Sequence, residues 1–136
     1  MFYLLDERGQ PVLSSFEETA HLFGAADTQR RVAWTERGGV AVSTVFLVID
    51  HNHGRGAPIL WETMVERDGG WEEQDRYCTL KEAIEGHKAM VAEVFGEDAP
   101  KTEWGSLVVR ADEGPLRVLG PSAWQRLLGP ELDFGV

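Results

Sequence analysis

The densest group of chemistry-bearing side chains in this 136-residue chain is Asp50-His51-Asn52-His53, and a further imidazole, His87, lies downstream. Imidazole and carboxylate are ordinary zinc ligands, and a catalytic zinc keeps three protein ligands and one open position for water. Asp50, His51, His53 and His87 are therefore candidate ligands of a divalent metal such as zinc, which would activate water in a small hydrolase or nuclease. Two points weigh against that reading. Neighbours on an extended strand face opposite ways, so His51 and His53 converge with Asp50 only if the loop turns sharply. The paired histidines at i and i+4 that mark many zinc helices are absent. The plainer reading is a polar connection in which Asp50 and Asn52 bond local backbone N–H groups. His87 falls between Ile84 and Val91 on an apolar stripe. It reads either as a ligand or base paired with Asp50, or as a core histidine satisfied by a strand carbonyl or a side chain.

Other groups carry weaker signals. Gly54-Arg55-Gly56 could bring backbone N–H groups and the Arg55 guanidinium to an anion, and with Trp61 could line a small-ligand pocket. No phosphate-binding G-x-x-x-x-G-K-[ST] run accompanies it. Cys78 abuts Thr79 at a helix start, where a thiol pKa can fall, and a dyad with His87 is conceivable; a free cysteine is more often a small buried hydrophobe. Among five tryptophans, Trp71 beside Gly69-Gly70 and Trp104 beside Gly105 fall in expected turns and are the candidates for exposed aromatics. Glu72, Glu73 and Asp75 next to Trp71, with Glu62 and Glu66 on the neighbouring strand, would surround that anchor with negative charge. Such a patch suits a basic partner. The same acidity also reads simply as a surface that keeps the protein dissolved.

The elements that must position these groups follow from periodicity. A composition of 43% hydrophobic and 26% charged residues is that of a folding chain, and the length suits one domain, 1–136. Phe2-Tyr3-Leu4-Leu5 reads as an edge strand. Ser15 and Glu18 form a capping box ahead of Phe16, Ala20 and Phe23, a short helix. Arg31 to Glu36, Val40 to Asp50, Ile59 to Glu66 and Glu73 to Cys78 make a four-stranded antiparallel meander, with Val45-Phe46-Leu47-Val48-Ile49 in its central strand. Thr79 and Glu82 cap a long helix striped by Leu80, Ala83, Ile84, His87, Val91, Val94 and Phe95 and stopped by Gly96. Folded back, it covers one face of the meander. Leu107-Val108-Val109 and Leu116-Arg117-Val118 pair as a C-terminal hairpin, and Pro121 to Leu128 form a last short helix. The fold class is thus α+β, with residues 1–96 as its core and 97–136 as a C-terminal extension.

Charge and targeting narrow the function. The net charge is −10, and Glu62 to Glu103 holds 12 acids against five bases, so direct nucleic-acid binding is not expected. Met1 to Leu5 runs straight into Asp6, Glu7 and Arg8, with no signal-peptide core, no membrane-length apolar run and a single cysteine. A cytoplasmic protein without membrane contact is expected.

Phe2-Tyr3-Leu4-Leu5-Asp6-Glu7, Ser43-Thr44-Val45-Phe46-Leu47 into Asp50-His51, Glu62-Thr63-Met64-Val65, Arg76-Tyr77, Thr79, Glu82-Ala83 and Gly86-His87 together resemble a family of small, uncharacterised proteins encoded by bacteriophages and prophages. The resemblance spans Met1 to about Phe95. Val48 stands where that family tends to have Gly, and Trp61 where it tends to have Phe. It implies a phage-type accessory protein in the host cytoplasm. The expected function is non-catalytic binding of a host protein with a basic surface, for host takeover or anti-defence, without a cofactor. The metal-dependent hydrolase and a small-ligand sponge are the alternatives, and self-association is left open.

Overall fold

The computed structural model describes residues 1–24, 30–129 and 131–134, with the side chains of Phe23, Glu73 and Gln74 outside that description. Within it, the chain builds two sheets and three helices. Strands β1 (Phe2–Asp6) and β2 (Pro11–Ser14) are followed by α1 (Phe16–Gly24), then β3 (Arg31–Arg37), β4 (Val40–Phe46), β5 (Trp61–Arg67), β6 (Gly70–Tyr77) and α2 (Leu80–Phe95). After a 3-10 turn come β7 (Glu103–Trp104), β8 (Leu107–Arg110), β9 (Arg117–Leu119) and α3 (Pro121–Leu128). The class is α+β. The expected meander is present as β3-β4-β5-β6, with β7 added beyond β3 to give the order β6-β5-β4-β3-β7.

A second sheet, β2-β1-β8-β9, corrects the reading of Phe2-Tyr3-Leu4-Leu5 as an edge strand. β1 pairs antiparallel with β2 and parallel with β8, so it lies inside that sheet. The β8–β9 hairpin and α3 form where the tail pattern put them, and the segment after Gly96 contributes strands to both sheets. A core cluster ties the sheets together, running from Leu4 and Leu5 through Phe46, Trp61 and Ile84 to Val109, Trp124 and Phe134.

The apolar run Val40 to Asp50 does not continue as one strand. β4 ends at Phe46, and Val48 takes a φ of 71°, the left-handed region that β-branched residues avoid. This bend takes the backbone out of one sheet and into the other: the Val48 carbonyl accepts from Tyr3 N at 2.8 Å, Phe2 bridges to Ile49, and Asp50 N donates to the Met1 carbonyl. Glycine adopts that angle without strain. Val48 holds it with its side chain fully buried.

The Ser15 capping box forms in full, whereas at Thr79 the cap bond forms and Glu82 Oε1 accepts from the Thr79 hydroxyl instead of its backbone N–H. Ser15 Oγ accepts from Glu18 N at 3.1 Å while Glu18 Oε1 accepts from Ser15 N at 3.0 Å. Thr79 Oγ1 accepts from Glu82 N at 3.1 Å. The stripe on α1 is rotated from expectation: Thr19 and Leu22 are buried, and Phe16 stays exposed with its ring edge-on to Phe2. On α2 the stripe is as read, with Leu80, Ala83, Ile84, His87 and Val91 buried against β3 to β6.

Candidate functional site

α2 packs on the face of the larger sheet that carries Ala33, Thr35, Val42, Thr44, Thr63 and Val65, all buried. Its apolar contacts divide into two clusters. Leu80, Ala83 and Ile84 join the main core, while Val91 joins Val42 and Val65, with Val94 and Phe95 against them. His87 sits between the two. Its Nδ1 lies 2.8 Å from Thr44 Oγ1 and its Nε2 2.9 Å from Thr35 Oγ1. Thr44 is 2.6 Å from Thr63 Oγ1, which accepts from the Tyr77 hydroxyl at 3.0 Å. At the other end Thr35 is 2.7 Å from Thr102 Oγ1. A row of hydroxyls and one imidazole therefore crosses β6, β5, β4 and β3 under the helix.

Burial drives the His87 pKa down from 6.5 to about 3, so the ring is neutral at physiological pH. Burial also raises the Tyr77 phenol, with Asp75 adding to the rise against the Thr63 bond, so the phenol stays a donor. Each hydroxyl has one hydrogen to give. With Tyr77 donating at one end, one head-to-tail arrangement satisfies the whole row: Thr63 donates to Thr44, Thr44 to His87 Nδ1, His87 Nε2–H to Thr35, and Thr35 to Thr102. The His87 tautomer is then the Nε2–H form. Gly86 makes room for this row, because a Cβ there would overlap the Tyr77 hydroxyl.

This arrangement corrects the metal-site expectation. Both His87 nitrogens are occupied by threonines, so the ring neither pairs with Asp50 nor activates Cys78. Asp50 is buried in the β4–β5 connection, its Oδ1 accepting from Asn52 N at 2.7 Å and Ile59 N at 3.0 Å and its Oδ2 from Gly54 N at 3.1 Å. Burial alone would raise that carboxyl; the three N–H donors outweigh it and hold it below the ordinary range. His51 Nδ1 lies 2.8 Å from the carbonyl of Ile49, within its own turn, and His53 is exposed at a φ of 54°. Among the described residues no three His, Cys, Asp or Glu side chains form a group able to hold a metal ion. The plainer reading of a stapled polar loop is what the geometry gives. The Cys78 thiol is raised by burial, with Glu82 and Asp50 adding to it, in line with the plainer reading of a small half-buried thiol and against helix-start activation. Arg55 is exposed in the loop, and Trp61 is fully buried against Phe46, so the two line no common pocket.

The face turned away from α2 carries the other candidates. Cross-strand registers set Trp34 opposite Ser43, Ser43 opposite Met64, and Trp71 opposite Glu66. Trp71 is 46% exposed and meets Trp34 edge-on at 6.2 Å, while the Arg31 guanidinium lies 4.4 Å over the Trp34 ring. Beside Trp71 is a hollow of about 270 Å³ lined by Arg30, Arg31, Ser43, Val45 and Met64. Sequence reasoning missed Trp34 and Met64, although their place on one strand face follows from simple alternation once the hairpin registers are set.

The expected acidic patch is reduced. Glu66 stands beside Trp71, with Glu36 further along the same face. Glu62 is buried and bound to Arg76 Nε at 2.9 Å, so its charge is already matched. Glu72 and Asp75 pair with Val65 and Thr63, which puts them on the α2 side of the pleat. Glu73 falls at a register position on the Trp71 side, its side chain outside the described residues. Trp104 does not sit in an exposed turn: it lies in β7, half-buried, with its ring 5.8 Å from His87 and 4.9 Å from Phe134. Among the described residues no helix is long and apolar enough to cross a membrane. A scan of protein-family models gives no match to the chain, and neither do searches of curated proteins and solved structures.

Proposed function

We propose that this is a non-catalytic binding protein that recognises a basic protein partner through the sheet face centred on Trp71. The observation that carries the reading is Trp71 itself, a large ring 46% exposed on a second tryptophan and opening on a hollow of about 270 Å³. Half-exposed aromatics beside a pocket are where binding energy concentrates in protein interfaces. Glu36 and Glu66 share the cross-strand row of Trp71, while Arg30 and Arg31 line the far end of the hollow, so the carboxylate end of this face is the one that meets a cationic surface, whose arrival the chain's net charge of −10 speeds. An apolar side chain of the partner fills the hollow, and its neighbouring Lys or Arg residues meet Glu66 and Glu36. The resemblance of the first 95 residues to phage-encoded proteins makes a host protein the partner, held by occupancy in host takeover or anti-defence.

The test is affinity capture from host extract in low and high salt, with wild type, Trp71→Ser and Lys81→Ala. A partner retained by wild type and Lys81→Ala, lost with Trp71→Ser and weakened by salt supports the reading. Equal capture by Trp71→Ser, or capture insensitive to salt, overturns it.

A further inference from the structure

The chain has three lysines, and two of them, Lys88 of α2 and Lys101 ahead of β7, border one hollow of about 360 Å³. Half-buried Trp104 supplies its aromatic wall, backed by the buried Phe134 at 4.9 Å edge to face, and the Lys88 ammonium stands 5.8 Å over the Phe134 ring. An adjoining hollow of about 540 Å³ shares Lys101, Thr102 and Trp104 and extends the space to Pro121. Thr102 also ends the hydroxyl row that passes through His87. In the head-to-tail arrangement the Thr102 oxygen accepts from Thr35, which leaves the Thr102 hydrogen to be given to whatever enters the hollow. Two ammonium groups and an oriented hydroxyl thus gather beside flat apolar walls.

We propose that this hollow binds a small organic monoanion with a flat apolar body, an aryl carboxylate being the simplest member of the class. The aromatic body lies against Trp104, with the buried Phe134 behind it, and the carboxylate takes the Lys101 and Lys88 ammonium groups and the Thr102 hydroxyl. Such a division, apolar lining with a few convergent polar groups, is what small-molecule sites share. Glu103 in the second hollow sets the charge limit, since its carboxylate repels a ligand carrying several negative charges. The site shares no residue with the Trp71 hollow, so either can fail alone.

The experiment is a titration of the ¹⁵N-labelled protein with 2-naphthoate and, separately, with pyrophosphate, read at the five tryptophan indole cross-peaks. The expected result is a saturable shift of the Trp104 indole with 2-naphthoate and none with pyrophosphate. Lys101→Gln, exposed and therefore neutral for folding, weakens the affinity by about tenfold, as loss of a charged hydrogen bond does. Thr102→Val weakens it about threefold or more, and Trp71→Ser leaves it unchanged. No saturable shift at Trp104, an unchanged affinity in Lys101→Gln, or tighter binding of pyrophosphate than of 2-naphthoate overturns the proposal.

Discussion

Lowering the pH from 7 to about 4.5 tests the His87 row, because the folded and unfolded chains then differ in one proton. The unfolded chain takes up a proton on His87 below its ordinary 6.5, whereas the folded chain refuses it until about 3. The stability this provides is full above pH 6.5 and is lost as the pH falls. Two pH units at about 1.4 kcal/mol each come to about 2.7 kcal/mol, or a fall of about 10 °C in melting temperature for a domain of this size. Asp50 does not confuse the result, since its folded carboxyl titrates below its ordinary 3.8 and keeps its contribution until the pH drops further. The assay is urea unfolding at both pH values on wild type and His87→Gln. The variant removes the titrating group, so its stability changes with pH by about 2.7 kcal/mol less than that of the wild type. Parallel losses in both proteins would mean that His87 is not held neutral in the folded chain. So would an NMR titration of wild-type His87 with a midpoint between pH 5 and 7; a ring held neutral as the Nε2–H tautomer down to about pH 4 is the expected outcome.

Other positions give further expectations. Gly86→Ala, which on an ordinary helix would gain about 1 kcal/mol, here drives a methyl into the Tyr77 hydroxyl and lowers stability by about 1–3 kcal/mol in thermal unfolding. Val48→Gly relieves about 1–2 kcal/mol of left-handed strain while losing about 1.5–3 kcal/mol of side-chain burial. It therefore stays within about 1–2 kcal/mol of wild type, while Val42→Gly, buried in an ordinary strand, costs at least about 3 kcal/mol in urea unfolding. Asp50→Asn exchanges a carboxylate that gathers three N–H groups for a neutral amide, and is expected to cost about 2 kcal/mol and to expose the β4–β5 connection to hydrogen exchange.

Local patterns carried most of what could be read from the sequence. Thr79 with Glu82 and the stripe from Leu80 to Val91 define α2 by short-range chemistry alone, and Gly38-Gly39 and Gly69-Gly70 fix the hairpins of the meander. The second sheet was not legible in this way. Its parallel pairing of Leu5 with Val109 joins residues more than a hundred apart, and nothing in either local pattern names the other. The break at Val48 was hidden for a different reason: a run of β-branched residues reads as continuous strand, and only the competing pull of β1 makes the backbone accept a left-handed valine there.

The site divided along the same line. Alternation set Glu62 and Glu66 on one pleat face, and that placement stands, but it could not reveal that Arg76 had already neutralised Glu62. The irregular register of β6 near Glu73 moved Asp75 to the far face, out of the acidic patch. His87 was legible as a polar residue on a buried stripe. Its partners were signalled more faintly, by Thr63 standing between Trp61 and Val65 on an apolar strand face, and Thr35 and Thr44 complete the set only through the sheet registers. Trp104 next to Gly105 looked like a turn, yet Gly105 N donates to the Val32 carbonyl and draws Trp104 into a sheet over His87.

Docking of a basic protein partner on the Trp71 face is decided by calorimetric titration of that partner against wild type, Trp71→Ala and Glu66→Lys. Trp71→Ala loses about 2 kcal/mol or more of binding, at least about 30-fold in affinity. Glu66→Lys also weakens binding, an effect that fades in high salt, with all three proteins melting within about 1 kcal/mol of one another. Affinities unchanged by both substitutions would contradict docking on this face.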